Sequence, residues 1–268
     1  MKIGKQGNHA TSISTSNSDM IVVRGRDLCR DLIGSVSLTE HFWLLVTGEL
    51  ATPPQVQVLD ACLVAIAEHG LVPSVQAARM TYAAGPEAMQ GAVAAGILGC
   101  GSVILGSAEN AGRLLARVIE RAAGMDTTGA ARDIVQELRA ARTAIPGYGH
   151  PQHKAADPRA ARLIAVADQV GVSGVHVAAA RDVEAAIRDV TGKSLVLNVS
   201  GAIPAVLLDA GFPIAGLKGV PILARTASLV AHLVEEQMRP IGFTIADGGS
   251  DGIGYDGKTP DSFVAEAS

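Results

Sequence analysis

The chain has 268 residues, enough for one or two domains. Hydrophobic residues make up 48% and charged residues 18%, which provides a core and excludes wholesale disorder. The formal net charge of −4 excludes a nucleic-acid partner held by bulk positive charge, so an anionic ligand must be met by a few placed cations.

In chain order, residues 1–20 are polar and Ser/Thr-rich with no apolar run, so no secretory signal is expected and the location expected is the cytoplasm. MIVVRG at 20–25 reads as a strand. Thr39 precedes the helical pattern EHFWLLVTGEL, which Gly48 stops. Thr52 stands before Pro53-Pro54, and apolar residues then recur at helical spacing until Gly70. Ser74 is expected to cap the helix VQAARMTYAAG.

Residues 91–106 (GAVAAGILGCGSVILG) are the most apolar stretch, yet shorter than the roughly 20 residues of a spanning helix. A short helix apolar on every face is expected to lie at the centre of a helical protein, so no membrane partner is implied. Gly96, Gly99 and Gly101 follow no strand, which excludes a dinucleotide fingerprint and leaves close helix approach as their use. Residues 110–123 form an amphipathic pattern with Arg113, Arg117 and Arg121 outward. Helices are further expected at 127–142, 159–170, 181–189, 201–210 and 221–236, and a second strand at 194–199 (SLVLNV). With no βαβ alternation, the fold class is mainly α.

Cys29, Cys62 and Cys100 are odd in number and show no metal-ligand spacing, so neither disulfides nor a metal site are expected. They read as buried free thiols.

The least helical interior segment is AIPGYGHPQHKAADP at 144–158. Its glycines let backbone approach a ligand closely, His150 is titratable, and His153 and Lys154 add positive or switchable charge. Asp157 is a natural N-cap before Pro158, which puts Arg159 in a helix's first turn, where a guanidinium suits a carboxylate. These residues by themselves admit either a ligand loop or a solvated loop with a surface histidine.

GYGHPQHKAADPRA resembles the active-site loop of the citrate synthase superfamily, more closely its citryl-CoA lyase branch, which is related to the C-terminal module of ATP-citrate lyase. RGRDLCRDLIG…TEHFWLLVTGELATP, AEHGLVPSVQAAR, LNVSGAIPAVLLD, LARTASLVAHLVEEQMRPIGF and GYDG resemble further family segments in the same order.

This resemblance implies roles for particular residues. His150 would face the C3 oxygen of the citrate skeleton and take the hydroxyl proton as the carbon–carbon bond breaks. His69 would hold a substrate carboxylate or carbonyl, Arg159 and Arg225 would grip carboxylates, and Lys154 would meet coenzyme A phosphates. The backbone of Ile145, Pro146, Gly147, Tyr148 and Gly149 would support the adenine. The fold implied is a two-domain helical one with a small domain, 108–217, inserted in a large domain formed by 1–107 and 218–268. The assembly implied is a homodimer or higher homo-oligomer.

Two departures from the family are serious. Its catalytic aspartate, which follows Asn-Val, is Ser200 here, and a hydroxyl is too weak an acid or base to replace it directly at neutral pH. The family histidine that steadies the enolate oxygen falls at Leu105, where ATP-citrate lyase also lacks a histidine. A third synthase arginine, expected near Ala246 and Asp247, is not apparent. Asp256 in GYDG is the nearest candidate acid, alongside a plain reading as a turn residue.

The activity implied is cleavage of citryl-CoA, or a related 3-hydroxy-3-carboxy acyl-CoA, to acetyl-CoA and oxaloacetate. Coenzyme A enters as part of the substrate, with no permanently bound cofactor. The alternatives are a catalytically weakened homologue that binds acyl-CoA or tricarboxylate, and an acyl-CoA thioester hydrolase.

Overall fold

The structure is a computed structural model that describes residues 10–101, 103, 105, 107–123, 126–149, 155–260 and 262. It begins with a small antiparallel meander, β1 (Ser14–Ser16), β2 (Ile21–Val23) and β3 (Arg26–Asp27). Only the middle strand has an apolar sequence, which is why β1, polar and wholly exposed, was not foreseen. Asn17 turns the chain by accepting the N–H groups of Asp19 and Met20 through Oδ1 at 2.9 and 2.8 Å. Arg24 and Gly25, at φ 48° and 78°, make the second turn. Val23, Leu32 and Leu44 close a small core behind this sheet.

Eleven α-helices follow among the described residues: α1 (Leu38–Thr47), α2 (Pro53–Ala67), α3 (Pro73–Ala84), α4 (Met89–Leu98), α5 (Ser107–Arg121), α6 (Thr127–Ala140), α7 (Pro158–Gln169), α8 (Val175–Thr191), α9 (Val199–Asp209), α10 (Gly219–Met238) and α11 (Gly242–Asp251). The cap of α1 is Ser37, not Thr39: Ser37 Oγ accepts the Glu40 N–H at 3.2 Å and Glu40 accepts the Ser37 N–H at 2.7 Å. Thr39 instead turns inward and donates to Asp60 at 2.9 Å. Ser74 does not cap α3 either, since Pro73 already occupies the first turn and Ser74 is buried. The expected strand at 194–199 is reduced to a single bridge between Leu197 and Tyr148, because Asn198 caps α9 and starts a helix.

Contacts divide the chain into two compact units, Met1–His69 with Cys100–Ala227, and Gly70–Gly99 with Ser228–Ser268. These breaks fall at other positions than the 107/108 and 217/218 junctions of the expected domains. In the first unit α9 packs against α2, α5, α7 and α8. From Val199 to Leu207 only Ser200 is not buried, so α9 is the helix apolar on all sides that occupies a core. The expected central helix at 91–106 is a correction. It ends at Leu98, and Leu98 and Val103 are 86% and 89% exposed. Gly99 takes the cap position and stops the helix there.

The second unit is centred on α3, α4, α11 and the latter part of α10, with Val75, Ala78, Tyr82, Leu229 and Leu233 at its core. Arg79 and Glu236, 2% and 3% exposed, form an ion pair at 2.6 Å. Glu236 also accepts the N–H groups of Ile241 and Gly242 at 2.9 and 2.7 Å, which fixes the start of α11. Burial pushes the Glu236 carboxyl up, but the guanidinium and the two N–H groups outweigh it and hold it below the usual range.

Residues Ile214–Met238 are long and apolar enough to cross a membrane by length and composition alone, a test that core helices of soluble proteins also pass. The cysteines are all free thiols; Cys62 and Cys100 are buried as expected, whereas Cys29 is exposed on a π-helical turn, Leu28–Leu32.

Candidate functional site

The loop before His150 is built onto the start of α9. Asn198 N–H donates to the Gly147 carbonyl at 2.9 Å, Gly149 N–H to the Val196 carbonyl at 2.8 Å, and the Asn198 side-chain amide to the Gly149 carbonyl at 2.7 Å. Asn198 Oδ1 also accepts the Gly201 N–H at 3.2 Å, which caps α9. The contact is close enough to require glycine on both sides. A Cβ on Gly147, at φ 87°, would stand 2.7 Å from Gly201 Cα, and one on Gly201 would stand 2.6 Å from the Gly147 carbonyl oxygen. Ile145 and Pro146 are half-buried and Gly147 is buried. Tyr148 points its hydroxyl into the fold, donating to the Ala180 carbonyl at 2.8 Å. Burial, with Glu184 and Asp182 nearby, raises its pKa, so its side chain is a structural anchor and only its backbone remains for a ligand.

Asp157 ties a second element to the same point. Its side chain is fully buried, and it accepts from Arg159 Nε at 3.0 Å, Arg159 Nη2 at 2.9 Å, Arg159 N at 3.0 Å and Val199 N at 2.9 Å. Burial pushes this carboxyl up, but the guanidinium of Arg159 and the Val199 N–H prevail and hold it below the usual carboxylate range. Asp157 therefore stays ionised and cannot serve as a proton donor at neutral pH. Arg159 is held rigid by it, with 20% of its side chain exposed. Ser200, half-buried in the first turn of α9, follows directly on the residue that Asp157 holds.

The third group is Arg225 of α10, which meets the C-terminal end of α2. Arg225, 2% exposed, donates from Nη2 to the Ile66 carbonyl at 3.3 Å. Its Nε and Nη1 are buried without a hydrogen-bond partner among the described residues. A buried donor left unmatched costs about 1–3 kcal/mol, more when charged, so these two donors call for an acceptor. Burial lowers the Arg225 pKa, with Glu68 and then Cys100 acting against it. Burial raises the Cys100 thiol, and Arg225 pulls it down. His69 is exposed, and its N–H donates to Glu68 Oε1 at 2.9 Å.

Helix α2 joins these groups to α7. The two pack together, and a groove of about 550 Å³ between them is lined by Ala61, Val64 and Ala65 on one side and by Pro158, Arg159 and Arg162 on the other.

His150 and Lys154 lie outside the described residues. Leu105 is buried at 6% exposure and sits at φ 65°. Asp256 is exposed in the second unit, in a turn that Tyr255 closes by donating to the Lys258 carbonyl at 3.0 Å. From sequence, Asp157 reads only as a cap and Cys100 only as a buried thiol, and Asn198 and Glu68 are not singled out. For Asn198 a signal was present, a cap-type residue one position before an apolar helical run. His176 pairs with Asp209 at 2.8 Å, where Asp209 also accepts the N–H groups of Gly174, His176 and Val177.

The mainly helical fold is of citrate synthase type. The profile of the citrate synthase C-terminal domain matches residues 24–242, and the chain belongs to this family. Among solved structures it is similar to citryl-CoA lyase from Hydrogenobacter thermophilus, with 34% identity, 95% of this chain and 97% of that chain covered, and a TM-score of 0.84. It shares its fold with ATP citrate lyase from Methanothrix soehngenii, solved with citrate and coenzyme A, at 20% identity, 98% and 44% coverage and a TM-score of 0.76. A Mycobacterium tuberculosis protein provisionally named citrate synthase 2 is 28% identical over 205 residues, which is 75% of this chain and 52% of that protein. The chain thus spans about half the length of the curated relatives it matches.

Proposed function

We propose that the protein is a citryl-CoA lyase-type enzyme that cleaves citryl-CoA, or a related 3-hydroxy-3-carboxy acyl-CoA, to acetyl-CoA and oxaloacetate. The observation that carries this reading is the likeness to the Hydrogenobacter thermophilus lyase, which spans nearly the full length of both chains at 34% identity. The unmatched buried donors of Arg225 support a carboxylate ligand, and the Asp157 clamp supports a fixed direction for Arg159.

In this reading His150 takes the proton of the C3 hydroxyl. The oxygen's electron pair forms the carbonyl of oxaloacetate, the carbon–carbon bond breaks, and its electrons pass to the enolate of acetyl-CoA. A proton returned to that enolate carbon completes acetyl-CoA. His69, Arg159 and Arg225 hold the carboxylates, while Lys154 and the backbone of 145–149 receive coenzyme A, which enters only as part of the substrate. The same reading extends to a cytoplasmic homodimer or higher homo-oligomer.

Incubation with citryl-CoA, with oxaloacetate coupled to malate dehydrogenase, tests the proposal. Turnover above background is the expected result; intact coenzyme A binding without turnover would overturn it. Ser200 supports a second reading, a weakened homologue that binds acyl-CoA or tricarboxylate, because no carboxylate stands at the position from which the family returns the proton. A thioester hydrolase would release coenzyme A without oxaloacetate in the same assay.

A further inference from the structure

Arg225 is buried to 2% exposure and commits one donor, Nη2, to the Ile66 carbonyl at 3.3 Å. That carbonyl belongs to the last turn of α2, and the chain continues directly into Glu68 and His69. Glu68 takes the cap position with extended backbone, φ −129° and ψ 143°. Its Oε1 accepts the N–H of His69 at 2.9 Å, so one carboxylate is anchored at the helix end that Arg225 touches. Nε and Nη1 of Arg225 nevertheless remain without hydrogen-bond partners among the described residues.

We propose that Glu68 is an internal counter-charge that sets how strongly the Arg225 site takes a substrate carboxylate. This rests on the reading of Arg225 as a carboxylate-binding arginine. An exposed carboxylate at the rim lessens the cost of burying the guanidinium in the ligand-free protein without saturating its donors. An incoming carboxylate then meets the attraction of Arg225 less the repulsion of Glu68. Burial lowers the Arg225 pKa and Glu68 is the foremost group raising it again, which agrees with an electrostatic link between the two. Cys100 also acts on Arg225, and burial raises its thiol, so it adds no competing negative charge at neutral pH.

Calorimetric titration of citrate and oxaloacetate into the wild type, Glu68→Gln and Glu68→Lys tests the proposal. Glutamine keeps an acceptor for the His69 N–H and removes the charge. Tightening of citrate binding by roughly two- to fivefold is expected for Glu68→Gln, the range an exposed charge exerts, with a larger gain for Glu68→Lys. Both gains should shrink as ionic strength rises, a response that a purely structural role would not produce. Should the wild type bind citrate in an Arg225-dependent way while both variants match it or bind more weakly, the inference fails and the functional reading stands. Absence of citrate and oxaloacetate binding in all three proteins would overturn both.

Discussion

The carboxylate of Asp157 accepts the backbone N–H of Val199 at 2.9 Å, across 42 residues of sequence. Through this bond the cap of α7 and the first peptide of α9 share one buried anion, and Arg159 is gripped by that anion from a third direction. The start of α9 therefore cannot shift relative to Arg159 without exposing or unpairing Asp157.

Asp157→Asn is expected to destabilise the protein by about 3 kcal/mol, the lower end of the cost of breaking a buried pair, since Arg159 keeps some exposure. Urea denaturation measures it. The folded pKa of Asp157 is depressed, so its contribution is complete above the unfolded value near 3.9 and is lost as pH falls through the folded value. The difference between wild type and variant should be constant from neutral pH down to about 5 and shrink below roughly 4. A difference that grows on acidification contradicts this assignment.

Gly201→Ala places a methyl group 2.6 Å from the Gly147 carbonyl oxygen, and Gly147→Ala adds a positive φ of 87° to a similar clash. Each is expected to cost about 1–3 kcal/mol and to displace the 145–149 backbone. Coenzyme A affinity by calorimetry should fall with stability in both variants. Unchanged affinity would remove this backbone from the coenzyme A site.

Arg225→Met separates binding from stability. It removes a buried cation with two unmatched donors, so thermal stability should hold or rise. Citrate affinity should drop at least about tenfold, equivalent to ~1.4 kcal/mol. Loss of stability with citrate affinity intact would make Arg225 a structural residue.

Ser200→Asp restores a carboxylate in the first turn of α9. If the missing proton donor limits a lyase reaction, citryl-CoA cleavage should rise by roughly 10²–10⁴-fold, the usual contribution of one general acid–base group. Abolished activity instead would assign the serine to a different mechanism.

Much of the helical architecture was legible locally. Cap residues, proline at the first turn and apolar spacing located α2, α6, α7 and α10 within a few residues. The outward arginines of α5 were equally legible, and Glu109 and Glu137 pair with them. The central helix was misplaced because composition cannot tell burial from exposure when a helix is apolar all round. Residues 91–106 and α9 have the same small apolar character, yet only α9 is enclosed by four helices. The strand expected at 194–199 failed because Asn198 capping and a glycine contact at Gly147 outweigh the β-propensity of Leu and Val.

The sequence by itself determined a mainly helical fold, the family to which it belongs, and the identities of the candidate cations, since periodicity, caps and motifs are written in neighbouring residues. Only the tertiary structure decided how those cations are held. The pairing of Asp157 with Val199, the unmatched donors of Arg225 beside Ile66 and the glycine contact of 147 with 201 join residues far apart in the chain. Such pairings arise from burial, which raises the cost of an unpaired charge or donor, and burial has no local signature.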